Sequence, residues 1–350
     1  MASDLNFNPK MLNSREFAVM GLGEVLLRLS PPNKERILAS EAFDKRAGGS
    51  ELNVVSGISL LGLRTGIITK LPENEIGKYI NNKIRFSGVS DDYIIYDHRS
   101  EARLGIYYYE NGAAPRKPTV VYDRGNSSFT SLKLDEIDPE VYGKTAVFHV
   151  SGITLALSKT IRETTLTMIQ KFKAQGSLIS FDVNFRASLW SEEEARTEIL
   201  RILPEIDILF ISEETSRKMF QKQGTLEEIM RSYASEYGCR LVATTQRQVL
   251  SPAKHNWNSL IYSKAEDKFY REEPYREIEV VDRIGSGDAY LAGVLFGLLK
   301  FNNVQSALEF GNAMAAIKNT IAGDMPVSDF QEIERVIRDH QAKETSELNR

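Results

Sequence analysis

The residues best suited to chemistry stand together near the C-terminal end, in Asp282-Arg283-Ile284-Gly285-Ser286-Gly287-Asp288. Val280-Val281 before them has the β-branched character of a strand end, and Ala289–Leu299 after them reads as a helix. Glycines at 285 and 287 let the backbone turn sharply and meet a ligand without interference from a side chain. The first N–H groups of the following helix lack partners and carry the positive end of its dipole, which makes a seat for a phosphate. A carboxylate at 288 is badly placed beside that phosphate unless it has work there. Accepting the proton of a hydroxyl that attacks a γ-phosphate is such work. An ordinary cap of a buried helix, built from Ser286 or Asp288 and the same glycines, is the competing reading.

A second glycine-to-helix junction, Ala47-Gly48-Gly49-Ser50-Glu51-Leu52-Asn53, leads into an apolar helical pattern closed by Gly62. A third polar group, Asp182-Val183-Asn184-Phe185-Arg186, follows the strand-like run Leu178–Asp182. Positioning these groups requires alternating strands and helices, and the chain supplies them. Strands are expected at 17–24, 65–70, 146–150, 178–182, 208–211 and 241–245, with helices after most of them. Such alternation implies a mainly parallel sheet covered on both faces, with ligands beyond the carboxyl ends of its strands. Glu24, Gly48-Gly49, Asp182-Asn184-Arg186, Ser212-Glu213-Glu214 and Gly285–Asp288 then gather along one edge. Residues 93–122 differ in texture: aromatic-rich runs with period 2 predict an antiparallel sheet, in which Arg103, Gly105, Tyr107 and Tyr109 share a face opposite Leu104, Ile106 and Tyr108.

Composition narrows the classes. The chain has 350 residues, 42% apolar and 26% charged, with a formal net charge of −4, so it can bury a large core and lacks the basic footprint of a general nucleic-acid binder. A single cysteine, Cys239, excludes an internal disulfide framework, and His98, His149, His255 and His340 show no metal-ligand spacing. No apolar run reaches membrane-spanning length. Residues 1–13 and 341–350 read as loose ends around one domain at 14–340, and a polar start without an apolar signal core reads as cytoplasmic. Gly21-Leu22-Gly23-Glu24-Val25-Leu26 carries only the first two glycines of a dinucleotide fingerprint, which excludes an oxidoreductase of that type.

Ala47–Asn53 and Asp282–Asp288, in that order, resemble the two signatures of the ribokinase-like (PfkB) sugar kinases. Gly23-Glu24-Val25-Leu26-Leu27-Arg28-Leu29-Ser30-Pro31-Pro32 and Ser180–Trp190 resemble the 2-keto-3-deoxygluconate kinases within that family. The resemblance runs over about 17–330. It implies an α/β three-layer sandwich with a mainly parallel central sheet and a small β lid, drawn from about 25–46 and 93–125. It further implies ATP-dependent phosphorylation of 2-keto-3-deoxygluconate to the 6-phospho product, with Asp288 as base and Arg186 beside the transferring phosphate. Gly285, Ser286 and Gly287 correspond to the anion hole, Gly48, Gly49 and Asn53 to sugar contacts, and Arg103, Tyr107 and Tyr108 to lid contacts. Thr244 and Asp282, with Gly285 and Gly287, fall on the nucleotide side. The cofactors implied are ATP and Mg²⁺, with a monovalent cation left open, and pairing of two subunits through the lid covers its exposed edges.

The pattern also departs from the family. Ser212-Glu213-Glu214-Thr215 stands where N-x-x-E handles Mg²⁺, leaving the metal residues unknown, with Glu213 or Glu214 as substitutes. Thr244-Thr245-Gln246 lacks the glycine of the nucleotide loop, and Glu110 stands where some of these kinases carry a lid arginine. Another sugar as acceptor, or a sugar-binding relative without catalysis, remains a competing outcome.

Overall fold

Phe17–Leu22 is buried along its whole length, as expected of a strand covered on both faces. This strand, β1, lies inside a ten-stranded sheet in the computed structural model, which describes residues 14–342 apart from 114 and 252. The expected loose ends at 1–13 and 343–350 lie outside the described residues, whereas 341 and 342 close the last helix, Phe330–Ala342.

In chain order the further strands are β2 (Leu26–Ser30), β3 (Asp44–Gly48), β4 (Thr65–Pro72), β5 (Ile94–Asp97), β6 (Gly105–Glu110) and β7 (Thr119–Asp123). They are followed by β8 (Thr145–Ser151), β9 (Leu178–Asp182), β10 (Ile208–Phe210), β11 (Leu241–Ser251), β12 (Lys254–Ser263), β13 (Lys268–Tyr270) and β14 (Tyr275–Glu279). The large sheet runs β13-β12-β11-β10-β9-β8-β1-β4-β5, with β14 also on β12. Every pair from β11 across to β5 is parallel, and only the β11–β14 end is antiparallel.

Alternation along the strands sorts side chains between two cores. Leu241 and Ala243 face one core and Val242 the other; Ile208 and Phe210 oppose Leu209 in the same way. Helices Ser50–Leu60, Ser286–Phe301 and Val304–Asn319 cover the first side. Lys159–Ala174, Glu192–Ile202 and Leu226–Tyr237 cover the second. These are the three layers expected.

A separate four-stranded sheet, β3-β2-β6-β7, forms the lid. Its membership corrects one expectation. Residues 94–97 pair with Thr69–Pro72 in the large sheet rather than with the lid. Length is the reason: β4 runs eight residues and leaves its far edge open for one more parallel strand. The other difference is β11, which continues to Ser251 as one arm of a long hairpin with β12.

Helices Ser286–Phe301 and Val304–Asn319 cross closely because Gly293 lies against the backbone of Phe310 and Gly311. Alanine improves helix propensity by about 1 kcal/mol at such a site, but its methyl would overlap the Phe310 carbonyl. Gly293→Ala is therefore expected to lower unfolding free energy, by about 1–3 kcal/mol, in a urea titration; a more stable variant would contradict the packing.

Candidate active site

Beyond the carboxyl ends of β1 and β9, and under the lid, lies a cleft of about 520 Å³. Asp288 opens onto it from the first turn of the Ser286–Phe301 helix. That helix begins three residues earlier than its apolar pattern suggests, so the carboxylate lies among the helix's leading N–H groups. Gly285 precedes it at φ 81°, and a Cβ there would overlap the backbone carbonyl of Asp324. Conformation and space both demand glycine. The N–H groups of Gly287 and Asp288 have no backbone acceptor among the described residues, whereas the Ser286 N–H and Oγ–H both turn back to the Arg283 carbonyl.

The Asp288 carboxylate is held at both oxygens. Ser50 Oγ–H donates to Oδ1 at 2.9 Å, and Asn53 Nδ2–H donates to Oδ2 at 2.6 Å. Ser50 Oγ in turn accepts from Asn184 Nδ2 at 3.2 Å, which ties the third polar group to the first. Burial pushes the Asp288 carboxyl up to about 6, against the lowering effects of Asn53, Ser50 and Arg186. Asp182 also lines the cleft and is pushed up to about 7, by burial and then by the charge of Asp288. Such carboxylates in a cleft are the groups that trade protons near neutrality.

The expected residues divide into those the structure brings together and those it does not. Gly49, Asn53, Tyr107, Arg186, Gly285, Gly287 and Asp288 all line the cleft. Gly48 lies just behind it, packed against the Asp324 side chain. Arg103 does not reach it: the guanidinium is held by the Asp123 side chain at 2.8 Å and carbonyl at 3.0 Å, across the lid hairpin. Tyr108 is on the opposite lid face, edge-on to Phe43, so of the two tyrosines Tyr107 faces the cleft. Thr244 is buried in β11, while its neighbour Thr245 opens onto an adjoining pocket of about 320 Å³. Asp282 is turned away from the cleft into an ion pair with Arg28.

Ser212 Oγ caps its helix at Thr215 N, and Glu213 and Glu214 pair with Arg217 and Lys218 on that helix's own surface. Neither glutamate is offered to a metal. No cluster of three or more metal-ligating side chains occurs among the described residues. Among the described residues, Asp182 is the carboxylate that lines both the cleft and the adjoining pocket.

Glu24, expected at this edge, lines the cleft and is buried, paired with Arg124 and accepting from Ser127. Other lining residues escaped the sequence reading. Arg247 and Arg283 face the same space; burial and then Arg283 lower the Arg247 pKa. Arg283 was in plain view inside the glycine loop. Arg124 and Asp324 had no local signal, because only the fold carries them to the cleft.

Residues 18–328 match the model of the pfkB family carbohydrate kinases. The chain belongs to that family. A 2-dehydro-3-deoxygalactonokinase of Haloferax volcanii is 35% identical over 316 residues, covering 90% of this chain and 95% of that protein. The solved structure of a 2-dehydro-3-deoxygluconokinase from Thermotoga maritima aligns with TM-score 0.87 at 32% identity, over 92% of this chain and 98% of that one. A 5-dehydro-2-deoxygluconokinase of Clostridium perfringens is 27% identical over 320 residues, covering 89% of this chain and 90% of that protein. The protein is thus a carbohydrate kinase with the ribokinase-like fold. No helix among the described residues is long and apolar enough to cross a membrane.

The raised Asp288 pKa has a thermodynamic consequence. Its folded value, about 6, lies above the ordinary 3.8, so the folded chain holds a proton there that the unfolded chain releases. Stability from this group is full below about pH 4 and declines as pH rises toward 6. Asp288→Asn should remove that decline, gaining about 1–2 kcal/mol over the native chain at pH 8 relative to pH 4, after allowance for partial exposure. Urea titrations at the two pH values test this, and an equal difference at both would refute it.

Proposed function

We propose that this carbohydrate kinase transfers the γ-phosphoryl group of ATP to the 6-hydroxyl of 2-keto-3-deoxygluconate. The observation that carries the reading is Asp288, oriented by Ser50 and Asn53 beside the open N–H groups of the Gly285–Asp288 turn. A hydroxyl seated against this carboxylate loses its proton to it as the oxygen attacks phosphorus. Two fixed hydrogen bonds keep the base aimed with little reorganisation. The N–H groups of Gly287 and Asp288, and the helix dipole behind them, offset charge growing on the phosphoryl oxygens.

The remaining lining chemistry supports both substrates. Arg247 and Arg283 are two guanidinium groups facing one space, and a polyphosphate relieves their repulsion. On the lid side, Asn53 Oδ1 is buried with no donor among the described residues, an acceptor that a sugar hydroxyl would satisfy. The acid's carboxylate has Arg186, exposed and, among the described residues, hydrogen-bonded to the Phe185 carbonyl alone, and Arg124 beside Tyr122. Mg²⁺ neutralises phosphate charge when bound with ATP; Asp182, aided by Asn184, would face it, and its raised proton affinity falls near a cation. Relatives named for keto-deoxy sugar acids in both the galacto and gluco series support the substrate class. The 5-dehydro-2-deoxygluconokinase relative favours a second reading, in which the acceptor is another deoxy keto sugar.

An ADP-coupled panel of keto-deoxy sugar acids, 5-dehydro-2-deoxygluconate, ribose and fructose separates these readings, with the highest kcat/KM expected for a 2-keto-3-deoxy acid. Asp288→Asn is expected to cut kcat by about 10²–10⁴-fold with KM little changed. Unchanged turnover would remove Asp288 from the mechanism.

The lid supports the further proposal of a homodimer. On the face away from Tyr107 it carries Leu29, Tyr108, Phe43 and Val121, with Phe43 and Val121 exposed. A second lid, stacked on this face, would cover them. Light scattering should give twice the chain mass, falling toward one chain in Val121→Lys; a monomeric native protein would end this proposal.

A further inference from the structure

Behind the Gly285–Asp288 turn the chain has buried four charges. Arg28 is fully buried and bridges Asp282 at 2.6 Å and Asp324 at 2.7 Å. Lys318, only 1% exposed, comes from the end of the Val304–Asn319 helix. Its Nζ donates to the carbonyl of Asp282 at 3.3 Å and to that of Ile321 at 3.1 Å. The two carboxylates are otherwise satisfied: Asp282 accepts from Ile284 N and Gly323 N, and Asp324 from the Tyr107 hydroxyl. Two cations thus balance two anions, with polar partners for each.

The position of the ammonium is informative. Backbone carbonyls from the start of the 282–288 loop and from the 320–324 turn converge on it, which is the oxygen environment that a partly dehydrated monovalent cation seeks. Those oxygens are already engaged. A further cation would add a positive charge that no free carboxylate in the cluster offsets, at the cost of burying an uncompensated ion. The residues present therefore do not fit a bound monovalent ion at this place.

We propose that Lys318 is the built-in cation of the phosphate-binding loop, holding Asp282 and the 320–324 turn in place, so that this kinase needs no added monovalent ion. Lys318 acts through the loop backbone and is a positioning residue. Burial lowers its pKa, while the nearby Asp282, Asp324 and Asp288 favour the charged form and Arg28 opposes it. The inference rests on the loop being the phosphate seat of the proposed function, but not on the identity of the sugar.

The test is nucleotide affinity, measured by calorimetry with ATP and Mg²⁺ in choline chloride and in potassium chloride at equal ionic strength. Native protein should bind equally in both, within about twofold, and its melting temperature should not depend on the cation. Lys318→Ala should bind ATP about tenfold or more weakly in choline and recover saturably with potassium or ammonium, which also raise its melting temperature. A several-fold gain for native protein on adding potassium overturns the proposal, as does a Lys318→Ala chain that keeps native affinity in choline. Loss of affinity without ion recovery overturns it too, by reducing Lys318 to a packing role. The native-protein arm decides the matter if the variant does not fold. Because affinity is read without acceptor, a failed sugar panel leaves this result standing, and the two failures are distinguishable.

Discussion

The guanidinium of Arg28 is the contact on which the arrangement depends. It comes from β2 in the lid, yet its two carboxylate partners belong to the 282–288 loop and to the turn after the Val304–Asn319 helix. Stacking over the Tyr109 ring at 4.4 Å fixes its plane. Breaking one partner of such a buried set costs about 3–5 kcal/mol, because the other charge is left without compensation. The cluster therefore sets the distance between lid and loop. Tyr107, from the lid, completes it through Asp324, and Asp324 also opens onto the cleft. Lid and loop are one electrostatic unit.

That unit explains why the motif residues divide as they do. Asp282 and Asp288 stand six positions apart in one loop but have opposite duties. Asp282 is spent on the cluster, fully buried and paired. Asp288 is kept at the cleft by neutral donors alone, Ser50 and Asn53. Burial is what raises the proton affinity of Asp288, outweighing the hydrogen bonds from Asn53 and Ser50. The same kind of side chain thus anchors at one end of the loop and stands open to the cleft at the other.

Much of the fold was legible because each strand buries both faces and announces itself as an apolar run, as Leu178–Asp182 does. The glycine loops were legible because Gly285 and Gly49 have no substitute in their conformations. Failures came where pairing in space, rather than pattern along the chain, decides. Ile94–Asp97 has the texture of the lid but docks on β4. Arg103 has the spacing of a cleft residue but is captured by Asp123 across a hairpin, leaving Arg124 at the cleft. Thr244 and Thr245 differ by one residue in a strand, and one residue is a change of face.

The lid is woven from two separated stretches, with β2 and β6 side by side and parallel. Parallel neighbours cannot be closed by a tight hairpin, so β4 and β5 of the large sheet are threaded between them in the chain. The lid therefore has no existence as an excisable segment. A chimera that exchanges only 105–123 with a relative would join a foreign hairpin to a native β2, and recombination of the lid must move both stretches together with the turn that carries Asp324.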